Sequence, residues 1–167
     1  LMLNFFGTVN VKQSCSSFYA QTAQGHIVNI SSVAAVAHIP FQAFYSASKA
    51  AVSSYSCALD NEVSLMVSGN SSRTWRYSYR FYPGQTKDSL GDDEYGGRIS
   101  HGVSQMEKDE LSGMSPEIIG TYIARIAQKK NCAPICVAGV KYKILRFLCK
   151  ILPCTLRGKI VGSIYAK

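Results

Sequence analysis

The sequence has 167 residues, 47% of them hydrophobic, enough for one globular domain with a core of its own. The net charge is +8, yet no apolar run is long enough to cross a bilayer, and no charged-then-apolar leader is read at the start. Six cysteines are scattered at positions 15, 57, 132, 136, 149 and 154, and "CAPIC" lacks zinc-pair spacing. No metal site is therefore expected, and free thiols in a reducing cytoplasm are the simpler account.

The opening "LMLNFFGTVNV" reads like the interior of a domain. "KQSCSSFYAQTAQ" is a poor helix. "GHIVNISSV", Gly25 to Val33, is short, apolar and β-branched, and predicts a buried strand of a parallel sheet. A loop through "HIPFQAF" follows. From Ser46 to about Val63 the spacing of Ala47, Ala50, Ala51, Tyr55, Ala58 and Leu59 predicts a helix. Strand, loop and helix make half of a βαβ unit, so the class is α/β. "LGDDEYGGRIS" predicts a loop. In "MSPEIIGTYIARIAQKK", Ser115 is a helix N-cap, Pro116 takes the first turn and Glu117 faces the positive helix end. Ile118, Tyr122 and Ile126 form the expected apolar stripe. "APICVAGV" predicts a last strand. The segment 141–167 holds seven Lys or Arg and no acid, with apolar residues between them. It suits an interfacial amphipathic helix on an anionic membrane, or equally a domain-capping helix with solvated lysines. No nucleic-acid motif is visible, so nucleic acid is not an expected partner.

In "AFYSASKAAVSSYS" a phenol precedes an ammonium by one helical turn, so Tyr45 and Lys49 share a face. A surface helix could carry both by chance. Ser32, at the end of the predicted strand, lies 13 residues before Tyr45, and strand ends are where open α/β sheets bind ligands. An ammonium nearby favours the phenolate of a tyrosine that otherwise keeps its proton to pH ~10. Such a tyrosine can exchange a proton with a carbonyl or alcohol oxygen, and a serine hydroxyl can hold that oxygen. The set suits alcohol–ketone interconversion with a nicotinamide carrying hydride.

Here the chain resembles the short-chain dehydrogenase/reductase family. "NISS" and "YSASK" match its serine and Tyr-x-x-x-Lys signature in order and spacing, and "LNFFGTVNV" puts Asn4 on the family's asparagine. The resemblance implies that Tyr45 is the general acid/base, that Ser32 positions the substrate oxygen and that Asn4 holds a water in a proton relay. It implies that Lys49 bonds the nicotinamide ribose and lowers the Tyr45 pKa, so that Tyr45 and Lys49 both meet the cofactor, NAD or NADP. It implies a partial Rossmann-like, doubly wound parallel sheet over residues 1–140, followed by the basic tail 141–167. "GMSPEIIGTYIARI" and that tail look like members acting on lipophilic alcohols or ketones. Family members pair as dimers or tetramers through the helices carrying Tyr45 and Asn4.

Two departures from the family pattern stand out. Its first βαβ half, with the glycine-rich turn that seats the pyrophosphate, is missing from this sequence. The sequence therefore reads as the carboxyl-terminal part of an enzyme. Between Val63 and Leu90 the family has an apolar strand ending in Pro-Gly, where this text is rich in serine and arginine. In a frame shifted by one base, codons for Gly69 to Phe81 can spell Val-Thr-Ala-Val-Val-Pro-Gly-Asp-Ile-Arg-Thr-Gly. The glycine is forced, because the tryptophan codon ends in GG and arginine codons begin with C or A. Phe18 to Gly25, shifted alike, can spell Phe-Met-Arg-Lys-Gln-Arg-Lys. Residues 12–24 and 64–89 are thus read as out-of-frame text, in which case Pro83–Gly84 is not the family's Pro-Gly; the alternative is a divergent loop insertion. The competing reading is a decayed, non-catalytic fragment, associated or not with a membrane surface.

Overall fold

The computed structural model describes residues 2–22, 26–66, 74–79, 92–129 and 133–166; for 15–22, 26, 63–66, 74–79 and 110 only the backbone is described. A π-helical turn, Met2–Phe6, leads into helix α1, Gly7–Thr22. Strand β1, His26–Ser31, comes next, then the short helix α2, Ala34–Ala37, and the long helix α3, Ala43–Met66. Strand β2 is Thr74–Tyr79. Helices α4, Arg98–Leu111, and α5, Pro116–Gln128, precede strand β3, Ile135–Cys136. Helices α6, Val140–Ile151, and α7, Cys154–Tyr165, complete the order.

The three strands form one parallel sheet in the order β1-β2-β3. The register runs from His26 opposite Thr74 to Ser31 opposite Tyr79, then Tyr77 opposite Ile135 and Ser78 opposite Cys136. Parallel neighbours need long crossovers, and α3 supplies the one from β1 to β2. The text "TWRYSY" pairs despite its arginine and serine, since Thr, Trp and Tyr are good strand formers.

Several boundaries differ from the sequence reading. Helix α1 continues through Thr22, across text that reads as a poor helix. Helix α3 starts at Ala43, three residues before Ser46, where the Ser46 N–H closes a turn on the Gln42 carbonyl at 2.8 Å. Helix α2 occupies part of the expected loop, and its three alanines are all buried. The backbone then turns left-handed at His38 and Phe41, uncommon for side chains of that size, and reverses into α3. "LGDDEYGGRIS" is a turn through Gly96 and Gly97, both at positive φ, but Arg98 already starts α4. Asp92 Oδ1 accepts from Ile99 N at 3.0 Å and Ser100 N at 3.1 Å, capping that helix. The hydrogen bonds from Ser100 hold its carboxyl below the usual carboxylate range. In α5 the Ser115 cap forms as expected, with Ser115 Oγ accepting from Ile118 N at 3.5 Å. The buried face is Ile119 and Ile126, however; Ile118 points out, and the half-buried Tyr122 donates its hydroxyl to the Val137 carbonyl at 3.1 Å. Residues 80–91, including Pro83 and Gly84, lie outside the described residues.

The expected single helix in the tail is two helices, broken at Pro153, which cannot donate a backbone hydrogen bond. Both pack inward. Cys149 of α6 and Val161 of α7 join Val33, Ala34, Met106 and Val137 in one apolar cluster. Tyr165 donates its hydroxyl to Asp109 Oδ2 at 2.6 Å, tying α7 to α4. No described helix is long and apolar enough to cross a membrane.

Where β1 meets α3 the contact is polar. Asn29 Nδ2 donates to Ser56 Oγ at 2.8 Å, and Ser56 donates to the Val52 carbonyl at 2.7 Å. Ser31 Oγ donates to the Lys49 carbonyl at 2.9 Å and lies 2.7 Å from Ser53 Oγ. Asn29, Ser31 and Ser56 are all buried.

Ser56→Ala would strand the buried Asn29 amide, so it should cost about 1–3 kcal/mol. Ser53→Ala leaves Ser31 bonded to the Lys49 carbonyl and should cost less than about 1 kcal/mol. Urea midpoints at unchanged slope test this order; an equal cost would show that the seam does not hold the strand. Tyr165→Phe should cost about 1–2 kcal/mol for the lost bond to Asp109. Burial, then the Asp109 contact, pushes the Tyr165 phenol well above the usual tyrosine range. The unfolded phenol ionises first, near pH ~10. The stabilisation is therefore complete below that pH and is lost as pH rises above it. The gap between wild type and Tyr165→Phe should narrow on that alkaline side.

Candidate active site

The seam sets α3 over the carboxyl end of β1 and brings the candidate side chains to that end. Lys49 is only 8% exposed, and its Nζ donates to the Ile30 carbonyl at 3.0 Å. That same ammonium lies 5.8 Å from the centre of the Tyr45 ring. One turn of helix separates the two residues, as the spacing predicts. Burial lowers the Lys49 pKa from the usual lysine value. Tyr45 is half-buried and packs against the apolar cluster.

Ser32 follows β1 directly and is fully buried. Its Oγ accepts from Ala34 N at 3.2 Å, which closes the turn into α2. A hydroxyl that accepts from a backbone N–H still has its own proton to donate. Asn4 reaches the same region from the turn before α1. Its Nδ2 donates to Ser48 Oγ at 3.3 Å, and Ser48 donates to the Tyr45 carbonyl at 2.7 Å. Asn4 is thus joined to the turn of α3 that carries Tyr45, through a serine the sequence reading did not single out. The signal for Ser53 and Ser56 was their spacing of three residues, which puts both on one face of α3, the face that meets β1.

An open trough of about 660 Å³ runs along β1 beside this end. Leu3, Asn4, Gly7 and Thr8 line one wall, Ile27 and Ile30 another, with Lys49 at the margin. Of the four candidate residues, Asn4 and Lys49 touch it. Its size is that of a small-molecule site. The chemistry of these side chains fits the nicotinamide–ribose end of a dinucleotide, because an ammonium fixed at a strand end can bond a ribose hydroxyl. For the pyrophosphate the 167 residues contain no glycine-rich turn.

A family profile described as short chain dehydrogenase matches residues 1–68, the segment holding Asn4, Ser32, Tyr45 and Lys49. The 3-ketodihydrosphingosine reductase of Bacteroides thetaiotaomicron is 35% identical over 137 residues, 77% of this chain and 49% of that protein. The chain therefore spans about half the length of the curated relative it matches. No solved structure matches significantly. The profile over the segment that holds Ser32 and the Tyr-x-x-x-Lys pair, alongside a reductase relative, places the chain in the short-chain dehydrogenase/reductase family.

Proposed function

We propose that this chain supplies the proton-transfer half of a reductase site for a lipophilic ketone. The observation that carries the reading is the buried Lys49 ammonium, anchored on the Ile30 carbonyl beside the Tyr45 ring. The Tyr45 hydroxyl donates a proton to the carbonyl oxygen as it becomes an alcohol. Ser32 donates a hydrogen bond from its hydroxyl to the same oxygen, keeping its own proton, and holds that oxygen in place. Lys49 favours the phenolate left on Tyr45. Asn4, through Ser48, fixes the first turns of α3 and holds a water for proton return. NAD or NADP, when bound, supplies the hydride. Lys49 and Tyr45 would hold its nicotinamide end. The name of the relative favours a long-chain keto substrate such as 3-ketodihydrosphingosine. The basic segment 141–167 would bring such a site to a membrane surface, and its free thiols Cys149 and Cys154 suit a cytoplasmic face. Pairing into dimers or tetramers through α1 and α3 belongs to the same reading.

A second reading is a reductase-derived module that binds no dinucleotide. The Ser64–Ser89 text, which makes family-like sense only in a shifted frame, favours it. Resequencing across codons 12–24 and 64–89 decides the frame: missing bases restore the apolar strand, and unchanged bases sink the frameshift.

The reductase reading is tested with 3-ketodihydrosphingosine and NADH or NADPH, on a protein with these positions in an intact family frame. Tyr45→Phe should lower turnover by at least about 10²-fold while the circular dichroism stays unchanged. Retained turnover would remove the mechanism. Lys49→Met removes the charge that favours the phenolate, so the limb of the pH–rate profile set by Tyr45 should move to higher pH. Because burial lowers the Lys49 pKa, that support fades at a lower pH than an ordinary lysine allows. Unchanged nicotinamide fluorescence on mixing with the chain as given would support the second reading, and tight binding would exclude it.

A further inference from the structure

Helix α6 is apolar on two opposite faces. Its inner face, Tyr142, Leu145 and Cys149, packs on the core. Its outer face carries Val140, Ile144, Phe147 and Ile151, which are 71%, 54%, 62% and 61% exposed. These four recur at three and four residues, so they form one stripe along the helix. Lys141 lies on one flank of that stripe, and Lys143 and Lys150 on the other. A helix that only caps a domain needs a single apolar face. A second one, left bare, marks a contact surface.

We propose that α6 docks in the plane of an anionic bilayer, with Ile144, Phe147 and Ile151 in the acyl boundary and the flanking lysines on lipid headgroups. The inference rests on the membrane contact proposed above, not on the reductase chemistry. Charge selects this occupant. From 141 to 167 there are seven cations and no acid, whereas protein interface cores are depleted in lysine. Lysines beside an apolar stripe lay their stems along it and present ammoniums to phosphates. Twelve residues of helix measure about 18 Å, too short to span a hydrocarbon core of about 30 Å, so the helix lies flat. Helix α7 adds a shorter exposed stripe, Leu156, Ile160 and Ile164.

The test is co-sedimentation of the full chain, without dinucleotide, with phosphatidylcholine vesicles that contain or lack about one-third phosphatidylserine. Binding should need the anionic lipid and weaken as salt rises from about 0.1 M to 1 M. Phe147→Ser with Ile151→Ser should abolish it. Lys143→Gln with Lys150→Gln keeps the stripe and should weaken binding about fivefold per lysine; this pair carries the test if the serine variant fails to fold. Equal binding to neutral vesicles, or full binding by the lysine variant, would overturn the proposal. So would self-association that the serine variant disrupts in a chain that ignores vesicles, since the stripe would then join copies of this chain. A chain that binds vesicles but no nicotinamide would leave the docking intact and refute only the reductase.

Discussion

Strand β1 is bolted to helix α3 by amides and hydroxyls, and the placement of Tyr45 and Lys49 hangs on that seam. Apolar contacts tolerate sliding, whereas buried polar contacts do not. Moving α3 by one turn would leave Asn29 and Ser31 without Ser56 and the Lys49 carbonyl, at about 1–3 kcal/mol for each orphaned group. The seam therefore fixes register as well as adhesion. With the register fixed, Lys49 Nζ falls on the Ile30 carbonyl and the Tyr45 ring falls beside it. A buried ammonium is costly, and its partner here is a backbone carbonyl rather than a carboxylate. A carboxylate would have neutralised the field that Tyr45 receives.

The loop after Ser32 is held from the far end of the sequence. Arg157 donates through Nη1 to the Cys149 carbonyl at 2.8 Å, and its Nη2 lies 3.3 Å from His38 Nδ1. Burial first, then the Arg157 charge, lowers the His38 pKa, which favours a neutral ring that can accept from the guanidinium. One side chain thus ties α6, α7 and the turn that follows α2. Removing the tail would uncover the alanines of α2 and release the turn at His38.

The sequence made the Tyr45–Lys49 pair legible because a four-residue spacing on a helix translates directly into a shared face. The Ser115 cap was legible for the same kind of local reason. What escaped was set by tertiary context. Ser53 and Ser56 read as small neutral residues, and only a strand laid across them makes them a polar seam. Helix α2 is too short for periodicity, and α4 hides Val103 and Met106 among charges. Ile118 and Ile119 are adjacent, so composition could not choose which faces inward. The arrangement of the tail turned on Pro153, where one amphipathic reading became two helices with buried as well as exposed apolar faces.

The proposed reactive end and the proposed lipid-facing stripe are mechanically close. Helix α2 begins two residues after Ser32, and α6 packs against it. A docked α6 would hold the Ser32 turn within about one helix diameter, ~10 Å, of its own inner face. A long-chain ketone has most of its favourable free energy in its buried methylenes, at about 0.8 kcal/mol each. Such a molecule resides in the bilayer and is scarce in water, so a site in solution would meet it rarely. A site held at the headgroup level meets it where it is concentrated, and needs only the polar carbonyl end to leave the acyl layer. On the proposed reading, the basic, doubly apolar α6 and the open trough along β1 would address opposite ends of one amphipathic molecule.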